Sequence, residues 1–118
     1  MNRQLLIDLR NALLDLPEDP KEAERLGFNV GIWEHCVYGV GTTLPSWQEA
    51  GLVLTPPIVP DIEYTPVKNA RNILGLTIPQ WHRVFYEPTK AVHDAHAAAR
   101  RINRELNQVV VGRELKQV

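Results

Sequence analysis

Two histidines of this 118-residue chain have a spacing that suits metal binding. His93 and His96 lie three residues apart, so on a helix both side chains would project from the same side. The other donors that could complete a four-coordinate zinc site are His35, Cys36, Glu34 and His82. The chain has no second pair with ligand spacing and no HExxH motif, so we predict that it binds no metal. A metal-dependent hydrolase using His93 and His96 is accordingly the third function in order of support.

Nucleophilic chemistry is poorly supported by the residues present. Cys36 follows His35 directly, and adjacent residues point in different directions on a helix or a strand, so a structural thiol is expected rather than a catalytic dyad. Ser46 is the only serine, and it lies in Pro-Ser-Trp rather than in a Gly-x-Ser-x-Gly elbow. The pair Gly39 and Gly41 lacks the third glycine of a dinucleotide loop and the lysine of a phosphate loop. The sequence therefore predicts no catalytic residues and no cofactor.

The charge of the chain is divided unequally along its length. Residues 1–64 contain four Lys and Arg against ten Asp and Glu, a net charge of −6, whereas residues 65–118 contain nine against four, a net charge of +5. Either the two halves attract each other, within one fold or between copies, or the basic half binds a nucleic acid or another acidic partner. A net charge of +5 is modest for a nucleic-acid-binding surface, which favours the first interpretation.

Most of the chain carries helix signals, in which a capping residue or proline starts a helix and a glycine or proline ends it. The first half of the chain is predicted to form a helix over 2–16, a short helix after Asp19-Pro20 that ends at Gly27, and one or two helical turns with a capping box from Ser46 to Glu49 and a C-cap at Gly51. The second half is predicted to form a helix over 66–74 that Gly75 ends, a helix over 77–85 that Thr77 caps, and a long helix over 89–108. These patterns predict a mainly α fold, one small helical-bundle domain over 1–118 with an irregular centre rich in Gly and Pro.

Two segments are predicted to be irregular. Residues 55–65 contain three closely spaced prolines and are expected to form an extended loop, which is either fixed on the surface or a peptide-like ligand for a partner. The tail 109–118 begins with a short β-like run of three valines before Gly112, and is expected to fray or to lie along a neighbour.

The stretch 77–108 has the outline of a helix-turn-helix with a turn at 86–88. A recognition helix contacts bases through its N-terminal turns, yet that end of the second helix carries the acidic Asp94. The basic residues Arg100, Arg101 and Arg104 lie near the other end, where they suit the helix dipole. A small nucleic-acid-binding regulator is therefore the second function in order of support.

The last predicted helix carries a narrow apolar stripe. Its residues alternate three- and four-residue spacings and are Val92, Ala95, Ala99, Ile102 and Leu106. Two packing arrangements fit this stripe. It packs against a second copy in a homodimer, or the first helix of the same chain covers it.

Short motifs are distributed along most of the chain. They are a leucine-rich first helix, Cys36-Val-Tyr-Gly39, Leu74-Gly-Leu-Thr77 followed by Gln80 and Val84-Phe85-Tyr86, and an alanine-rich segment at 91–102. Together they resemble a family of small, uncharacterised bacterial and phage proteins with a Cys/Gly segment and an LGLT-x-x-Q-x-x-x-(L/V)FY signature. The family's paired cysteines are represented here by Cys36 alone. The resemblance implies a compact, mainly helical domain and no catalytic activity.

The function predicted first is a non-enzymatic protein-binding or regulatory module of bacterial or phage origin. Its interface is expected on the last helix and the Pro-rich loop. The residues expected to contact a partner are Trp81, Tyr86, Arg100, Arg101 and Arg104. A single cysteine, the absence of a signal peptide and the absence of a membrane-spanning apolar run predict a cytoplasmic location without membrane contact.

Overall fold

A leucine-rich first helix and an alanine-rich last helix pack against each other at the centre of the fold. The computed structural model describes residues 1–28, 36–52, 65–86 and 94–117. Within these ranges the elements are α1 (Arg3–Leu14), α2 (Pro20–Arg25), α3 (Val37–Thr42), α4 (Pro45–Glu49), α5 (Thr65–Leu74), α6 (Ile78–Trp81), a π-helical turn (His82–Tyr86) and α7 (Ala95–Gln117). The described residues contain no strand, so the predicted mainly α fold is confirmed.

Helix α1 forms where the leucine pattern predicts it. Asn2 is its N-cap, and the Asn2 side chain accepts a hydrogen bond from the Leu5 N–H at 3.4 Å. The helix ends at Leu14, before Pro17, which cannot continue it. The buried face of α1 consists of Leu5, Leu6, Leu9 and Leu13.

Helix α7 covers this leucine face and runs antiparallel to α1. Its buried apolar residues are Ala95, Ala98, Ala99, Ile102 and Leu106. Of the predicted apolar stripe, Ala95, Ala99, Ile102 and Leu106 are therefore covered by the first helix of the same chain, the second of the two arrangements considered above, and Val92 lies outside the described residues. The small alanines allow the two helix backbones to approach closely.

The boundaries of α7 differ from the prediction of 89–108. The helix begins at Ala95, where the Ala97 N–H donates to the Asp94 Oδ1 at 2.8 Å, as an N-cap interaction requires. It continues to Gln117, so the backbone of the valine run is helical rather than β-like. Single valines and glycines lower helix propensity by about 1 kcal/mol or less per residue, which does not stop an established helix.

Aromatic side chains fill the space beside α1. The Tyr38 ring packs edge-on against Trp47 and Phe85, with ring centroids 5.6 and 5.8 Å away, and Trp81 stacks at a tilt on Phe85 at 4.5 Å. Trp47 approaches α3 at Gly41, where a Cβ atom would lie only 2.5 Å from the indole ring. Helix α3 was not predicted, because its two glycines are poor helix formers and its stability comes from this packing.

Three predicted glycine C-caps and one predicted N-cap are confirmed, and one predicted capping box is wrong. Gly27, Gly51 and Gly75 have φ angles of 101°, 93° and 67°, the left-handed conformation of helix C-terminal glycines. Thr77 and Gln80 form a capping box at the start of α6. The capping box predicted from Ser46 to Glu49 is wrong. The proline at 45 occupies the first turn of α4 and shifts the N-cap to Leu44.

Several predictions fall outside the described residues. They are most of the Pro-rich segment 55–65, the helix-turn-helix turn at 86–88 apart from the backbone of residue 86, and the predicted start of the last helix at 89. Helix α5 begins at Thr65, one residue before the predicted start at 66. None of the helices in the described part of the chain is long and apolar enough to span a lipid bilayer.

Candidate functional site

Four arginines lie on the outer side of the α1–α7 pair and are here called the basic face. Arg3 and Arg10 are seven residues apart on one flank of α1, and Arg100 and Arg104 are four residues apart on α7. Arg3 and Arg10 reach α7 across the helix junction, Arg100 lines the same groove as Arg10, and Arg104 is exposed one turn further along α7. The fold thus brings together cations from the two ends of the sequence.

Hydrogen bonds to uncharged groups hold the two arginines of α1. Arg3 Nη1 donates to the Leu106 carbonyl oxygen at 3.1 Å. Arg10 Nη1 donates to Asn103 Oδ1 at 3.0 Å, and its Nε and Nη2 both donate to Asn11 Oδ1 at 3.3 Å. These contacts fix the position of each guanidinium across the helix junction without neutralising its charge.

The basic face differs in this respect from Arg25 and Arg83. Within the described ranges, Arg3, Arg10 and Arg104 form no ion pair with a carboxylate, and Arg100 Nη2 lies 3.8 Å from Asp94 Oδ2. Two arginines elsewhere, in contrast, are paired with glutamates: Arg25 with Glu22 and Arg83 with Glu105. The basic face therefore presents positive charge that is available to an anionic partner.

An open groove of about 230 Å³ lies between Arg10 and Arg100 of the basic face. It is lined by Arg10, Leu14, Ala99, Arg100 and Asn103. Leu14 is 46% exposed, which is unusual for a large apolar side chain of this fold. Pockets for small molecules usually enclose roughly 300–1,000 Å³. A smaller, open groove with cationic rims and an apolar floor is better suited to side chains of a protein partner.

An acidic face lies on the other flank of α1, near its C-terminal end. Here the term covers Asp15, Glu18, Asp19 and the exposed Leu26. Asp15 and Leu26 border a second open groove, of about 320 Å³. The other residues that line it are Ala12, Leu16, Gly27, Phe28, Gly39, Val40 and Thr43. The acidic face thus also combines charge with an apolar groove.

The residues predicted to contact a partner are distributed between surface and core. Arg100 and Arg104 are exposed on the basic face, whereas Arg101 is half-buried and points about 100° away from Arg100 around α7. Trp81 is only 1% exposed, so the prediction that it anchors a surface interface is wrong, because the aromatic cluster encloses it. The Tyr86 side chain lies outside the described residues.

Sequence reasoning missed Arg3 and Arg10. A signal was present, since Arg3, Ile7, Arg10 and Leu14 recur at three- and four-residue spacings directly beside the leucine face of α1. The significance of this stripe depends on α7 lying next to it. That neighbour is about 90 residues distant in the sequence, as the Arg10–Asn103 contact shows.

The residues considered above as candidate metal ligands are not brought together in the described part of the chain. His96 Nε2 lies 2.7 Å from the Leu16 carbonyl oxygen, to which the imidazole N–H donates, so this nitrogen joins α7 to the end of α1. His82 lies in the π-helical turn and Cys36 directly before α3. His93, His35 and Glu34 are outside the described residues. Among the residues that are described, no three His, Cys, Asp or Glu side chains are grouped as metal ligands.

The N-terminal turns of α7 are not presented as those of a recognition helix. Ala95 and Ala98 are 0% and 1% exposed, and His96 is hydrogen-bonded to α1. The preceding helix, α6, has four residues before the π-helical turn begins. A helix that reads the major groove needs its first turns exposed; at the observed start of α7 His96 and Ala97 are half-buried, and residues 89–93 of the predicted helix lie outside the described part of the chain.

Comparisons with proteins of known family or structure add no assignment to this geometry. The chain was compared with protein-family models, with curated proteins and with solved structures, and no match was found. The two charged faces are therefore the basis on which a function can be assigned.

Proposed function

We propose that the protein is a non-enzymatic protein-binding module and that the basic face is its binding surface. The supporting observation is that Arg3, Arg10 and Arg104 carry charges that no carboxylate neutralises in the described part of the chain. Arginine is frequent at protein interfaces, because its planar guanidinium binds carboxylates with two parallel hydrogen bonds. A regulatory role is one way in which such binding would be used.

The partner that fits this surface is an acidic amphipathic segment. Its carboxylates would pair with Arg10 and Arg100 on the two rims of the groove, and an apolar side chain would contact Leu14 and Ala99 between them. Amphipathic helices commonly bind in this way, with apolar side chains in a groove between helices and charges at its edges. A central apolar contact surrounded by polar groups is the usual arrangement of an energetically important interface.

Nucleic-acid binding is the second candidate, because unneutralised arginines also suit phosphate groups. Two observations favour the protein partner. First, the groove between the arginines has an apolar floor, and a phosphate backbone has no apolar group to contact it. Second, exposed carboxylates lie on the other flank of α1, and they would repel phosphate groups. We further propose a cytoplasmic location and a bacterial or phage origin, which the single cysteine and the family resemblance support.

A binding experiment with two defined probes tests the proposal. The first probe is a fluorescein-labelled amphipathic peptide of about 20 residues, with glutamates on one face and leucines on the other. The second is a duplex DNA of about 20 base pairs. Fluorescence anisotropy at low salt is expected to show peptide binding in the micromolar range or tighter, and weaker DNA binding.

Matched double variants separate the basic face from net charge. Arg10→Ser/Arg100→Ser is expected to weaken peptide binding by about tenfold or more, since two charge-assisted contacts are lost. Lys21→Ser/Arg25→Ser removes the same total charge from the exposed side of α2 and is expected to leave binding within about twofold. Equal losses in both variants, or tighter binding of DNA than of peptide, would contradict the proposal.

A further inference from the structure

We infer that the acidic segment bound by the basic face is supplied by a second copy of this chain, whose acidic face docks head to tail on the groove. This inference rests on the proposed function and identifies its partner. The fold carries two surfaces that are complementary in charge and similar in apolar content, and both lie close to the C-terminal end of α1.

The charges of the acidic face are as incompletely satisfied as those of the basic face. Asp15 and Glu18 are exposed, and neither carboxylate forms a hydrogen bond or ion pair within the part of the chain that the structure describes. The Asp19 carboxylate accepts a hydrogen bond from the Lys21 N–H at 3.0 Å, as a helix N-cap does. The acidic face thus supplies carboxylates that the arginines of the basic face can pair with.

Apolar groups reinforce this complementarity. Leu14 on the basic face is 46% exposed and Leu26 on the acidic face is 57% exposed. Each leucine borders a groove, of about 230 and 320 Å³ respectively, that is large enough to admit an apolar side chain of the opposite face. Removing these side chains from water would stabilise the contact in addition to the ion pairs.

The two faces cannot satisfy each other within one chain. Arg10 and Asp15 are five residues apart on the same helix, so their directions differ by about 140° around α1. The guanidinium of Arg10 is also held toward α7 by Asn103. Asp15 of the acidic face therefore does not reach Arg10 of the same chain, whereas the acidic face of a second copy can approach it. A contact made head to tail, as inferred here, is heterologous and builds rings or open chains.

Charge-reversal variants of the full chain test this contact by sedimentation velocity. The wild-type protein is expected to self-associate at low ionic strength and to dissociate as salt screens the ion pairs. The basic-face variant Arg10→Glu/Arg100→Glu and the acidic-face variant Asp15→Lys/Glu18→Lys are each expected to be monomeric, because each then carries two faces of like charge. An equimolar mixture of the two is expected to associate again, because each variant restores complementarity to the other.

The control variant Glu49→Lys reverses an exposed carboxylate of α4 that is outside the acidic face, and it is expected to associate like the wild type. Circular dichroism verifies that each variant is folded. If a double variant is unfolded, the single variant Arg100→Glu is measured in its place, because the Arg100 side chain is 66% exposed and its replacement does not disturb the core. A wild-type protein that is monomeric at about 1 mM and low salt, or association unchanged in both reversed variants, would overturn the inference. If such a monomer still binds the acidic peptide, the second-copy inference fails and the proposed function stands.

Discussion

The indole nitrogen of Trp47 donates a hydrogen bond to the main-chain carbonyl oxygen of Leu5 at 2.9 Å, which joins α4 to α1 inside the core. Trp47 is fully buried, and its ring lies against the backbone of α3 at Gly41. A side chain at position 41 would occupy the space of the indole ring. The identities of residues 41 and 47 are therefore coupled, although Gly41 itself has no positive φ that requires glycine.

The first prediction concerns Gly41→Ala. Alanine is favoured over glycine in a helix by about 1 kcal/mol, but overpacking a filled core costs typically 1–3 kcal/mol or more. A Cβ atom 2.5 Å from a rigid ring places this substitution at the unfavourable end, so we expect a net loss in the free energy of unfolding, measured by urea denaturation. In a Trp47→Phe background the loss should be smaller, because the smaller ring leaves space. Additive effects in this double-mutant cycle would show that the two positions are independent.

The second prediction concerns the ion pair that joins the π-helical turn to α7. Arg83 Nε and Nη2 donate to the two carboxylate oxygens of Glu105, the second at 3.1 Å, and Glu105 is 3% exposed. Arg83→Met is expected to lower the free energy of unfolding by about 1.5–3 kcal/mol, because the buried carboxylate would lose its cation, while the 44% exposure of Arg83 leaves a path for water.

The exposed pair of Arg25 and Glu22 provides the control for this ion pair. Its side chains are 68% and 49% exposed, so Arg25→Met is expected to cost less than about 1 kcal/mol. Urea denaturation at neutral pH measures both variants. If Arg83→Met and Arg25→Met lowered the free energy of unfolding by similarly small amounts, the burial of Glu105 would not make its ion pair more important for stability.

The third prediction compares two glycines with positive φ. Gly51 and Gly75 have φ angles of 93° and 67°, so alanine at either position is expected to cost about 1–2 kcal/mol in backbone strain. A Cβ at Gly51 would meet its nearest atom at 3.8 Å, whereas at Gly75 it would lie 2.8 Å from the backbone nitrogen of Met1. Gly75→Ala should therefore be more destabilising in thermal or urea denaturation. Equal losses would mean that the segment at Met1 moves aside freely, despite the hydrogen bond from the Asn2 N–H to the Leu74 carbonyl.

The fourth prediction concerns the start of α7. The Asp94 carboxylate accepts from the Ala97 N–H at 2.8 Å and also faces Arg100 at 3.8 Å. Asp94→Ala is expected to lower the free energy of unfolding by about 1 kcal/mol, the usual effect of losing an N-cap. Asp94→Asn keeps the acceptor and removes the charge, so it is expected to stay within a few tenths of a kcal/mol of the wild type. A loss in Asp94→Asn equal to that in Asp94→Ala would assign the stabilisation to charge instead.

Local sequence signals predicted the helices whose starts and ends are encoded by neighbouring residues. The leucine pattern located α1, and Asp19-Pro20 and Thr77 located the starts of α2 and α6. Helix α3 was missed because its two glycines are explained only by the packing of Trp47 against Gly41. A single sequence does not show which residues of different helices will contact each other.

The basic face illustrates the same limit for the candidate site. Arg100 and Arg104 were identified from their clustering, but their partners Arg3 and Arg10 depend on how α1 and α7 are aligned. Trp81 was misassigned for the related reason that an aromatic residue suits an interface and a core equally well. Burial against Phe85 distinguishes the two, and it is visible only in the folded chain.

The pairing of α1 with α7 also has a consequence for protein synthesis in the cell. Leu16 and His96, which join the two helices, are 80 residues apart, and translation at about 5–20 residues per second separates their synthesis by roughly 4–16 s. During that interval the leucine face of α1 has been made but its covering helix has not. The leucine face of the nascent chain therefore stays exposed until most of α7 has been synthesised. A chaperone that binds short leucine-rich segments is expected to associate with ribosome-bound chains that lack α7 and to leave once α7 is available.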